Sequence, residues 1–271
     1  MIKQAIIPLA GLGTRMLPLT SVIPKEILPI NGKPNLEYIL EECIEAGIKE
    51  FIFIISKKKE SIKKYFFNDM FYKNILSKKN DPRLKKEFLK LKRYQKMIKF
   101  VYQNKPLGTG DAILKCKKYL KGDYFLMLLP DDLIINKNCT KEMISLHKQK
   151  KCSVIASKKV DKKKVSRWGI CSVKNKKKTF FQITDVVEKP NINNAPSNYA
   201  IIGRYILPVK ILKEIKDLKP GQGGEIHITD AIKNLINKNE KFYGNIFKGK
   251  YLDCGTMNGY INSGKEISKL K

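Results

Sequence analysis

The sequence predicts an α/β fold built on a doubly wound, mostly parallel mixed sheet, and three features of its first half indicate this. Apolar runs short enough for buried strands recur, at residues 6–10, 51–55, 98–102 and 124–129. Each run ends at a polar or Gly- or Pro-containing turn, and a segment with helical spacing separates the first two. Strands that alternate with helices are typical of a parallel sheet covered on both faces. We therefore expect a Rossmann-like domain.

The first strand, residues 6–10, ends at the segment GLGTR, residues 11–15. Glycines without a Cβ let backbone N–H groups surround an anion. Arg15 and Lys25 add two positive charges that match phosphate oxygens. A dinucleotide-binding loop would open a helix and carry a third glycine where Met16 stands, so that alternative is disfavoured. Three prolines follow, at Pro18, Pro24 and Pro29. They keep the chain extended and exclude a long helix.

The rest of the chain alternates helices and strands. Residues 34–47 have apolar side chains at helical spacing and end at a glycine, which predicts a helix before the second strand. Residues 57–98 are rich in lysine and predict two amphipathic helices, divided by Pro82, as an insertion at the sheet edge. The Gly turn at residues 106–110 leads into a helix. Further strands are predicted at residues 154–156, 170–173, 180–187, 203–207 and 247–252, and a further helix at residues 229–236.

Length and composition exclude several classes of protein. The 271 residues allow one large α/β domain or two small ones, with a substantial core. No apolar run of 18 residues and no signal-peptide pattern are present, so we expect a cytoplasmic protein without membrane contact. Six cysteines without a C-x-x-C pair indicate free thiols rather than a zinc site. The formal net charge is +30, but only five of the 55 basic residues are arginines. Because nucleic-acid surfaces favour arginine, a solvated lysine-rich surface is preferred over specific nucleic-acid binding.

Residues 11–29 resemble the signature of the sugar-nucleotidyltransferase family, G-x-G-T-R-x-x-P-x-T followed by P-K-E-x-L-P. The matching residues are Gly11, Gly13, Thr14, Arg15, Pro18, Thr20, Pro24, Lys25, Glu26, Leu28 and Pro29. In that family the loop wraps the triphosphate of a nucleotide. The residues that this resemblance places at the nucleotide are Ala10, Gly11, Gly13, Thr14, Arg15 and Lys25. It implies catalytic roles for Arg15 and Lys25 on the phosphates.

Gln103 follows a predicted strand at the edge of the sheet where α/β folds bind ligands. Its amide offers a donor and an acceptor that match the edge of a pyrimidine. In the resembled family a glutamine before this Gly turn pairs with the base, which implies base contacts for Gln103 and nucleoside contacts for Gly108. Asp111 replaces the histidine that the uridylyltransferases of the family usually carry. We expect this carboxylate to lie outside the site, because it would repel a triphosphate.

Two carboxylates follow predicted strands far apart in the chain, Asp131 after residues 124–129 and Asp253 after residues 247–252. Mg²⁺ takes one or two carboxylates together with phosphate oxygens, and strand-end carboxylates meet at the ligand edge of a sheet. Their two strands must be neighbours for this to hold. The segments LPDD and LDCGT resemble the two metal positions of the family, which implies a Mg²⁺ site at Asp131 and Asp253. Asp132 is interpreted as a loop or capping residue.

Several segments of the second half resemble the sugar site of the family. The Trp-Gly pair at Gly169 and the segment VEKP, with Glu188 and Lys189, match two of its motifs. The resemblance implies that Glu188 accepts from sugar hydroxyls and that Lys189, a catalytic residue, reaches the sugar phosphate as a point charge. Asn198 and Gly203 match a segment that lines the sugar. Thr229 is interpreted as a helix cap, and His227 as packed or exposed rather than catalytic.

Insertion 57–98 is similar to that of the bacterial uridylyltransferases, so the resemblance implies Mg²⁺-dependent uridylyl transfer from UTP to glucose 1-phosphate, in a homo-oligomer. A phosphate monoester, with a second pKa of about 6, is largely dianionic at neutral pH, so attack on the α-phosphorus requires no general base. The alternatives are another nucleotide or sugar, such as thymidylyl transfer, and a basic nucleic-acid-binding protein. We expect one domain over residues 1–271, with a nucleotide-binding half at about 1–135 and a sugar-binding half at about 136–271.

Overall fold

A computed structural model describes residues 2–270, Gln222 by its backbone alone. The strands in chain order are Gln4–Pro8 (β1), Pro29–Ile30 (β2), Lys33–Pro34 (β3), Glu50–Ile55 (β4), Ile98–Tyr102 (β5), Tyr124–Leu128 (β6), Asp132–Ile135 (β7), Ser153–Lys159 (β8), Gly169–Lys174 (β9), Phe180–Glu188 (β10), Tyr199–Pro208 (β11), Phe242–Ile246 (β12) and Lys250–Asp253 (β13). The helices are Asn35–Glu45 (α1), Glu60–Phe67 (α2), Asp69–Leu76 (α3), Pro82–Gln95 (α4), Thr109–Leu114 (α5), Cys139–Lys150 (α6), Ile211–Lys216 (α7), Ile228–Asn237 (α8) and Met257–Ser268 (α9).

The described residues form a nine-stranded central sheet in the order β5-β4-β1-β6-β11-β8-β12-β10-β9. Strands β5, β4, β1 and β6 are parallel, β11 is antiparallel to β6 and β8, and β12 is parallel to β8. Strand β10 is antiparallel to both β12 and β9. Strands β10 and β11 therefore run opposite to the other seven, and the predicted mixed, mostly parallel α/β sheet is confirmed.

Helices cover both faces of the sheet, because strand residues alternate between two apolar clusters. In β4, Phe51 and Phe53 face one cluster, while Ile52 and Ile54 face the other. The first cluster includes buried side chains of α1, α6 and α9, and the second includes those of α5, α7 and α8. Burial on both faces explains why these strands have continuous apolar sequences instead of alternating ones.

The insertion contains three helices instead of the two predicted. Asn68 separates α2 from α3, and Pro82 is the first residue of α4. Proline suits the first helical turn, where its missing N–H has no intrahelical acceptor. The Asp81 side chain caps α4 by accepting from the backbone N–H groups of Arg83 and Leu84.

The predicted strand at residues 247–252 is only partly correct, because β12 ends at Ile246 and β13 begins at Lys250. Strand β13 lies outside the main sheet and pairs with β7 as a two-stranded antiparallel ribbon. Asp253 lies opposite Asp132 in this ribbon. The interpretation of Asp132 as a loop or capping residue is therefore wrong, since it is the first residue of β7.

The signature segment after β1 contains three short 3-10 turns, at Thr14–Met16, Leu19–Ser21 and Lys25–Ile27. The predicted absence of a long helix in this segment is confirmed. The turn at residues 106–110 leads into α5, as predicted. Within residues 2–270, no helix is both long and apolar enough to span a bilayer.

Candidate active site

Two adjoining cavities open at the carboxyl ends of β1, β5 and β6. The first, the loop cavity, is lined by the signature segment and the α5 turn, with Ala10, Gly11, Lys25, Gln103, Gly108 and Asp131 among its residues. The second, the inner cavity, is lined by β6, β10, β13 and neighbouring turns, with Arg15, Asp131, Arg167, Gly169, Glu188, Lys189 and Asp253 among its residues. Asp131 lines both cavities, so a ligand in one lies next to a ligand in the other.

The Asp131 carboxylate accepts hydrogen bonds from two positively charged side chains. Its Oδ2 accepts from Lys25 Nζ at 2.6 Å and from Arg15 Nη2 at 3.1 Å. Burial alone would raise the pKa of Asp131, but Lys25 and Arg15 outweigh it and hold this pKa below its usual value. Burial would likewise lower the pKa of Lys25, but Asp131 and Glu26 raise it above its ordinary value. The Arg15 side chain is 57% exposed, so it is free to reach a ligand.

A second, buried ion pair lies beneath Lys25. Lys59 Nζ donates to both oxygens of Glu26, at 2.7 and 2.9 Å. Glu26 is 1% exposed and Lys59 7%. Desolvation lowers the pKa of Lys59, and the Glu26 carboxylate opposes this shift. The pair attaches the signature segment to the residues after β4, and so fixes the position of Lys25.

Asp253 lies beside Asp131, as predicted, because the backbone N–H of Cys254 donates to the carbonyl oxygen of Asp131 at 2.7 Å. Asp253 Oδ2 accepts from Arg167 Nη2 at 2.6 Å, and Oδ1 accepts from the backbone N–H of Gly255 at 2.9 Å. The two strand-end carboxylates are thus neighbours, although the strand of Asp253 belongs to the ribbon and not to the main sheet.

Two carboxylates on one cavity wall are a hard oxygen donor set that suits Mg²⁺ completed by phosphate oxygens and water. Among residues 2–270, no group of three or more His, Cys, Asp or Glu side chains gathers in a geometry that would hold a metal by itself. Two carboxylates supply only part of a metal's coordination, so a cation held by Asp131 and Asp253 would take its remaining ligands from phosphate oxygens or water.

Asp132 is half-buried, next to Asp131 in the chain and opposite Asp253 in the ribbon. Its carboxylate accepts from the Tyr251 hydroxyl at 2.6 Å and from the Gly203 backbone N–H at 3.1 Å. Burial and the neighbouring Asp131 raise the pKa of Asp132 to about 6. A Cβ on Gly203 would lie 2.4 Å from Asp132 Oδ2, so this glycine allows the contact.

Gln103 follows β5 and lines the loop cavity, as the sequence predicts for a residue that contacts a base. Its Nε2 donates to the carbonyl oxygen of Gly108 at 3.1 Å and to Asp111 Oδ2 at 2.7 Å. Gly108 has φ +96°, and a Cβ there would lie 2.6 Å from the carbonyl oxygen of Ile226, so only glycine fits. Asp111 lines neither cavity, but its carboxylate contacts the Gln103 side chain that does.

The signature glycines and threonine differ in position. Ala10 and Gly11 line the loop cavity, whereas Gly13 and Thr14 are not among its lining residues. Gly13 has φ +71°, and its carbonyl oxygen accepts from Thr20 Oγ1 at 2.8 Å, which shapes the loop. The nucleotide contacts of these four residues remain predictions.

The predicted sugar-site residues separate into two groups. Gly169, Glu188 and Lys189 line the inner cavity, whereas Asn198 and Gly203 are not among its lining residues. The Asn198 amide donates to the carbonyl oxygen of Val160 at 3.0 Å. The sugar contacts of all five residues remain predictions.

Glu188 and Lys189 lie side by side at the inner cavity. Glu188 Oε2 accepts from Thr229 Oγ1 at 2.9 Å, and Glu188 Oε1 lies 3.8 Å from Lys189 Nζ. Lys189 has φ +43°, an uncommon conformation for a residue with a side chain. Thr229 is inside α8 and binds Glu188, so its interpretation as a helix cap is wrong; His227 is the N-cap residue and is buried.

Sequence reasoning missed Arg167 and Tyr251, which also line the inner cavity. The Arg167 guanidinium lies 4.9 Å from the centre of the Trp168 ring and binds Asp253. The only available signal was its position before the Trp-Gly pair. Tyr251 gave no signal, because its contact with Asp132 depends on the pairing of β7 with β13.

Comparison with known proteins gives one consistent family. A model of the nucleotidyl transferase family matches residues 4–269. The UTP–glucose-1-phosphate uridylyltransferase of Mycoplasma pneumoniae is 38% identical over 97% of this chain and 91% of its own length. A crystal structure of UDP-glucose pyrophosphorylase complexed with UDP-glucose is 35% identical, with a TM-score of 0.87 over 100% of both chains. An apo-UDP-glucose pyrophosphorylase structure is 36% identical, with a TM-score of 0.90 over 99% of both chains.

Proposed function

Because the chain belongs to the nucleotidyl transferase family, we propose that it transfers a uridylyl group from UTP to glucose 1-phosphate, giving UDP-glucose and pyrophosphate. The observation that carries this proposal is that the two cavities meet at Asp131. Lys25 lines the loop cavity and Arg15 lines the inner cavity, so a positively charged side chain lies on each side of Asp131. One cavity has an amide for a base, and the other has a carboxylate and a lysine for a sugar phosphate. In this proposal the nucleotide-binding half, about residues 1–135, and the sugar-binding half, about residues 136–271, would meet at this junction.

The loop cavity would hold UTP. Gln103 lies where the uracil edge is expected, and the backbone of Ala10 and Gly11 lies along the path of the triphosphate. Lys25 and Arg15 are next to that path at Asp131, and their charges neutralise phosphate oxygens. The two cations stabilise the charge that grows on the departing pyrophosphate, which makes them catalytic residues in this proposal.

The inner cavity would hold glucose 1-phosphate. Glu188 has Oε1 available to accept from sugar hydroxyls, because Thr229 occupies Oε2. Lys189 is 47% exposed beside it and reaches the sugar phosphate as a point charge. The two residues come from the end of β10, so one strand positions both ends of the substrate.

Asp131 and Asp253 would hold Mg²⁺. When bound, this cation would neutralise phosphate charge and help to align the two substrates. The same carboxylates bind the side chains of Lys25, Arg15 and Arg167, so these cations lie next to the proposed Mg²⁺ position.

The reaction then depends on positioning. An oxygen of the sugar phosphate forms a bond to the α-phosphorus of UTP while the bond from that phosphorus to the departing pyrophosphate breaks. The attacking phosphate is already largely dianionic at neutral pH, so no side chain has to remove a proton. Held in line by the two cavities, the reactants gain the rate advantage of proximity and orientation.

One experiment tests the proposal: the purified protein is incubated with a grid of nucleoside triphosphates and sugar 1-phosphates, and pyrophosphate release is measured. We expect UTP with glucose 1-phosphate to give the highest kcat/KM. Greater activity with dTTP, ATP or GTP than with UTP would contradict the base assignment. Greater activity with another sugar 1-phosphate would contradict the sugar assignment.

We also infer a cytoplasmic location and self-association. All six cysteines are free and buried, which suits a reducing compartment. Self-association follows from the family resemblance, and light scattering on the purified protein tests it.

A further inference from the structure

We propose that Asp111 is a positioning residue that fixes the orientation of the Gln103 amide, so that the nucleotide site selects uracil over cytosine. This inference rests on the proposed function, since it concerns the base of the nucleotide that binds in the loop cavity. Asp111 lies behind Gln103: the amide lines the cavity, whereas the carboxylate is not among the lining residues.

The two acceptors around Gln103 decide which side of its amide faces inward. Nε2 lies 2.7 Å from Asp111 Oδ2 and 3.1 Å from the carbonyl oxygen of Gly108. A carboxylate and a carbonyl both accept and neither donates, so the NH₂ group must face them. An amide NH₂ has two hydrogens, and these two acceptors use both. Oε1 is left as the group that the amide presents to a base.

Burial and backbone bonds keep this arrangement in place. Gln103 is 5% exposed and Asp111 9%. Two backbone hydrogen bonds attach the Gly108 turn to Ile226. The N–H of Ile226 donates to the carbonyl oxygen of Leu107 at 2.9 Å, and the N–H of Gly110 donates to the carbonyl oxygen of Ile226 at 2.8 Å. The second acceptor of the amide therefore belongs to a fixed backbone segment.

The other oxygen of Asp111 has a separate partner. Lys115 follows the last residue of α5; its Nζ lies 3.3 Å from Oδ1, and its side chain is 39% exposed. This ion pair neutralises the carboxylate on the side away from Gln103. The ion pair thereby reduces the repulsion that a free carboxylate would exert on a triphosphate. The hydrogen bond between Asp111 and Gln103 does not depend on this ion pair.

An amide that presents only Oε1 discriminates between the two pyrimidines found in RNA. Uracil carries an N3–H that donates to Oε1. Cytosine bound in the same position would present an unprotonated N3, whose lone pair faces the lone pairs of Oε1. A site whose buried polar groups match one base and leave the other unpaired discriminates strongly, because an unmade buried hydrogen bond is costly.

The test compares kcat/KM for UTP and CTP, at saturating glucose 1-phosphate, in the parent protein and three variants. Asp111→Ala removes one acceptor and leaves the amide free to rotate. We expect the ratio of kcat/KM for UTP over CTP to fall by about tenfold or more. Asp111→Asn retains an acceptor but also offers a donor to Oε1, so both amide orientations are allowed and the ratio falls by a smaller factor. Lys115→Met is the matched control and should leave the ratio unchanged.

The outcomes separate this inference from the proposed function. A parent protein that does not prefer UTP would contradict the proposed function itself. A parent that prefers UTP, together with an unchanged UTP-to-CTP ratio in Asp111→Ala, would overturn the role of Asp111. The KM for glucose 1-phosphate should not change in any variant, and a change there would indicate general damage to the site and also overturn the inference. Should Asp111→Ala fail to fold, Asp111→Asn decides: an unchanged ratio in it overturns the inference.

Discussion

Lys25 and Asp131 are 106 positions apart in the chain, and the ammonium donates to the carboxylate at 2.6 Å. The same carboxylate oxygen accepts from Arg15. Asp131 is therefore both a predicted metal ligand and the counter-charge of two predicted catalytic cations. Asp253, the other predicted metal ligand, forms an ion pair with Arg167. This asymmetry leads to a first prediction.

Asp131→Asn and Asp253→Asn should each reduce turnover strongly at limiting Mg²⁺, because each removes one negative charge from the proposed metal site. We expect a loss of roughly ten- to hundredfold, with partial recovery as Mg²⁺ is raised. Asp131→Asn should recover less, because it also releases Lys25 and Arg15. Asp217→Asn is the control, because the Asp217 side chain is exposed and lines neither cavity. Mg²⁺ titration of initial rates measures the effect, and undiminished activity in both active-site variants would place the metal elsewhere.

Lys189→Ala should weaken the use of glucose 1-phosphate and leave the use of UTP nearly unchanged. The variant retains a Cβ, so the strain at φ +43° is the same as in the parent. Losing an interaction with a charged group costs about 1.5–3 kcal/mol, which corresponds to a rise in the KM for the sugar phosphate of roughly ten- to hundredfold. Lys213→Ala, on the exposed surface of α7, is the control. A change in the KM for UTP alone would show that Lys189 serves the other substrate.

Gly255→Ala should displace Arg15. A Cβ at this position would lie 2.6 Å from Arg15 Nη2 and 2.6 Å from Asp131 Oδ2. Both groups must shift, and Arg15 moves further because its side chain is mostly exposed whereas Asp131 is also bound by Lys25. We expect the KM for UTP to rise with little change in the melting temperature. Gly264→Ala in α9 is the control, because nothing lies within 4 Å of its added Cβ. Equal kinetics in the two variants would refute the steric argument.

The site residues that could be predicted are those that lie in a recognisable local sequence pattern. Asp131 and Gln103 were identified because they directly follow apolar strands, and strand ends meet at one edge of a parallel sheet. Lys25 was identified because it lies in a segment whose glycines and prolines restrict its shape. These signals are local, so the sequence alone contains them.

The remainder depends on pairings that no local pattern encodes. The ribbon of β7 and β13 joins segments more than a hundred residues apart and places Asp132 opposite Asp253. Lys59 appeared as one of many surface lysines, yet it is buried against Glu26. The prediction for Asp111 considered only its negative charge, whereas its proposed role depends on the hydrogen bond that it accepts from Gln103.

Lys59→Met should destabilise the protein by leaving the buried Glu26 carboxylate unpaired. Breaking a buried ion pair from one side costs about 3–5 kcal/mol of the free energy of unfolding. The double variant Glu26→Gln with Lys59→Met should regain most of this loss. Lys141→Met breaks an exposed pair with Glu45 and should cost less than about 1 kcal/mol. Urea denaturation measures all three, and equal losses for Lys59→Met and Lys141→Met would contradict the assigned burial.

The last prediction concerns the stability of the protein as a function of pH. The pKa of Asp132 is raised to about 6 in the folded protein, above the value of about 3.8 expected in the unfolded chain. Between these two values the folded state binds more protons than the unfolded state, so this group's contribution to stability is fully present below about pH 4 and is lost as pH rises through 6. Asp132→Asn does not titrate and lacks this dependence. The free energy of unfolding of the parent minus that of the variant, from urea denaturation, should therefore fall between pH 4 and pH 7 by an amount on the order of 3 kcal/mol. A difference that stays constant, or that rises with pH, would show that Asp132 is already ionised well below pH 6.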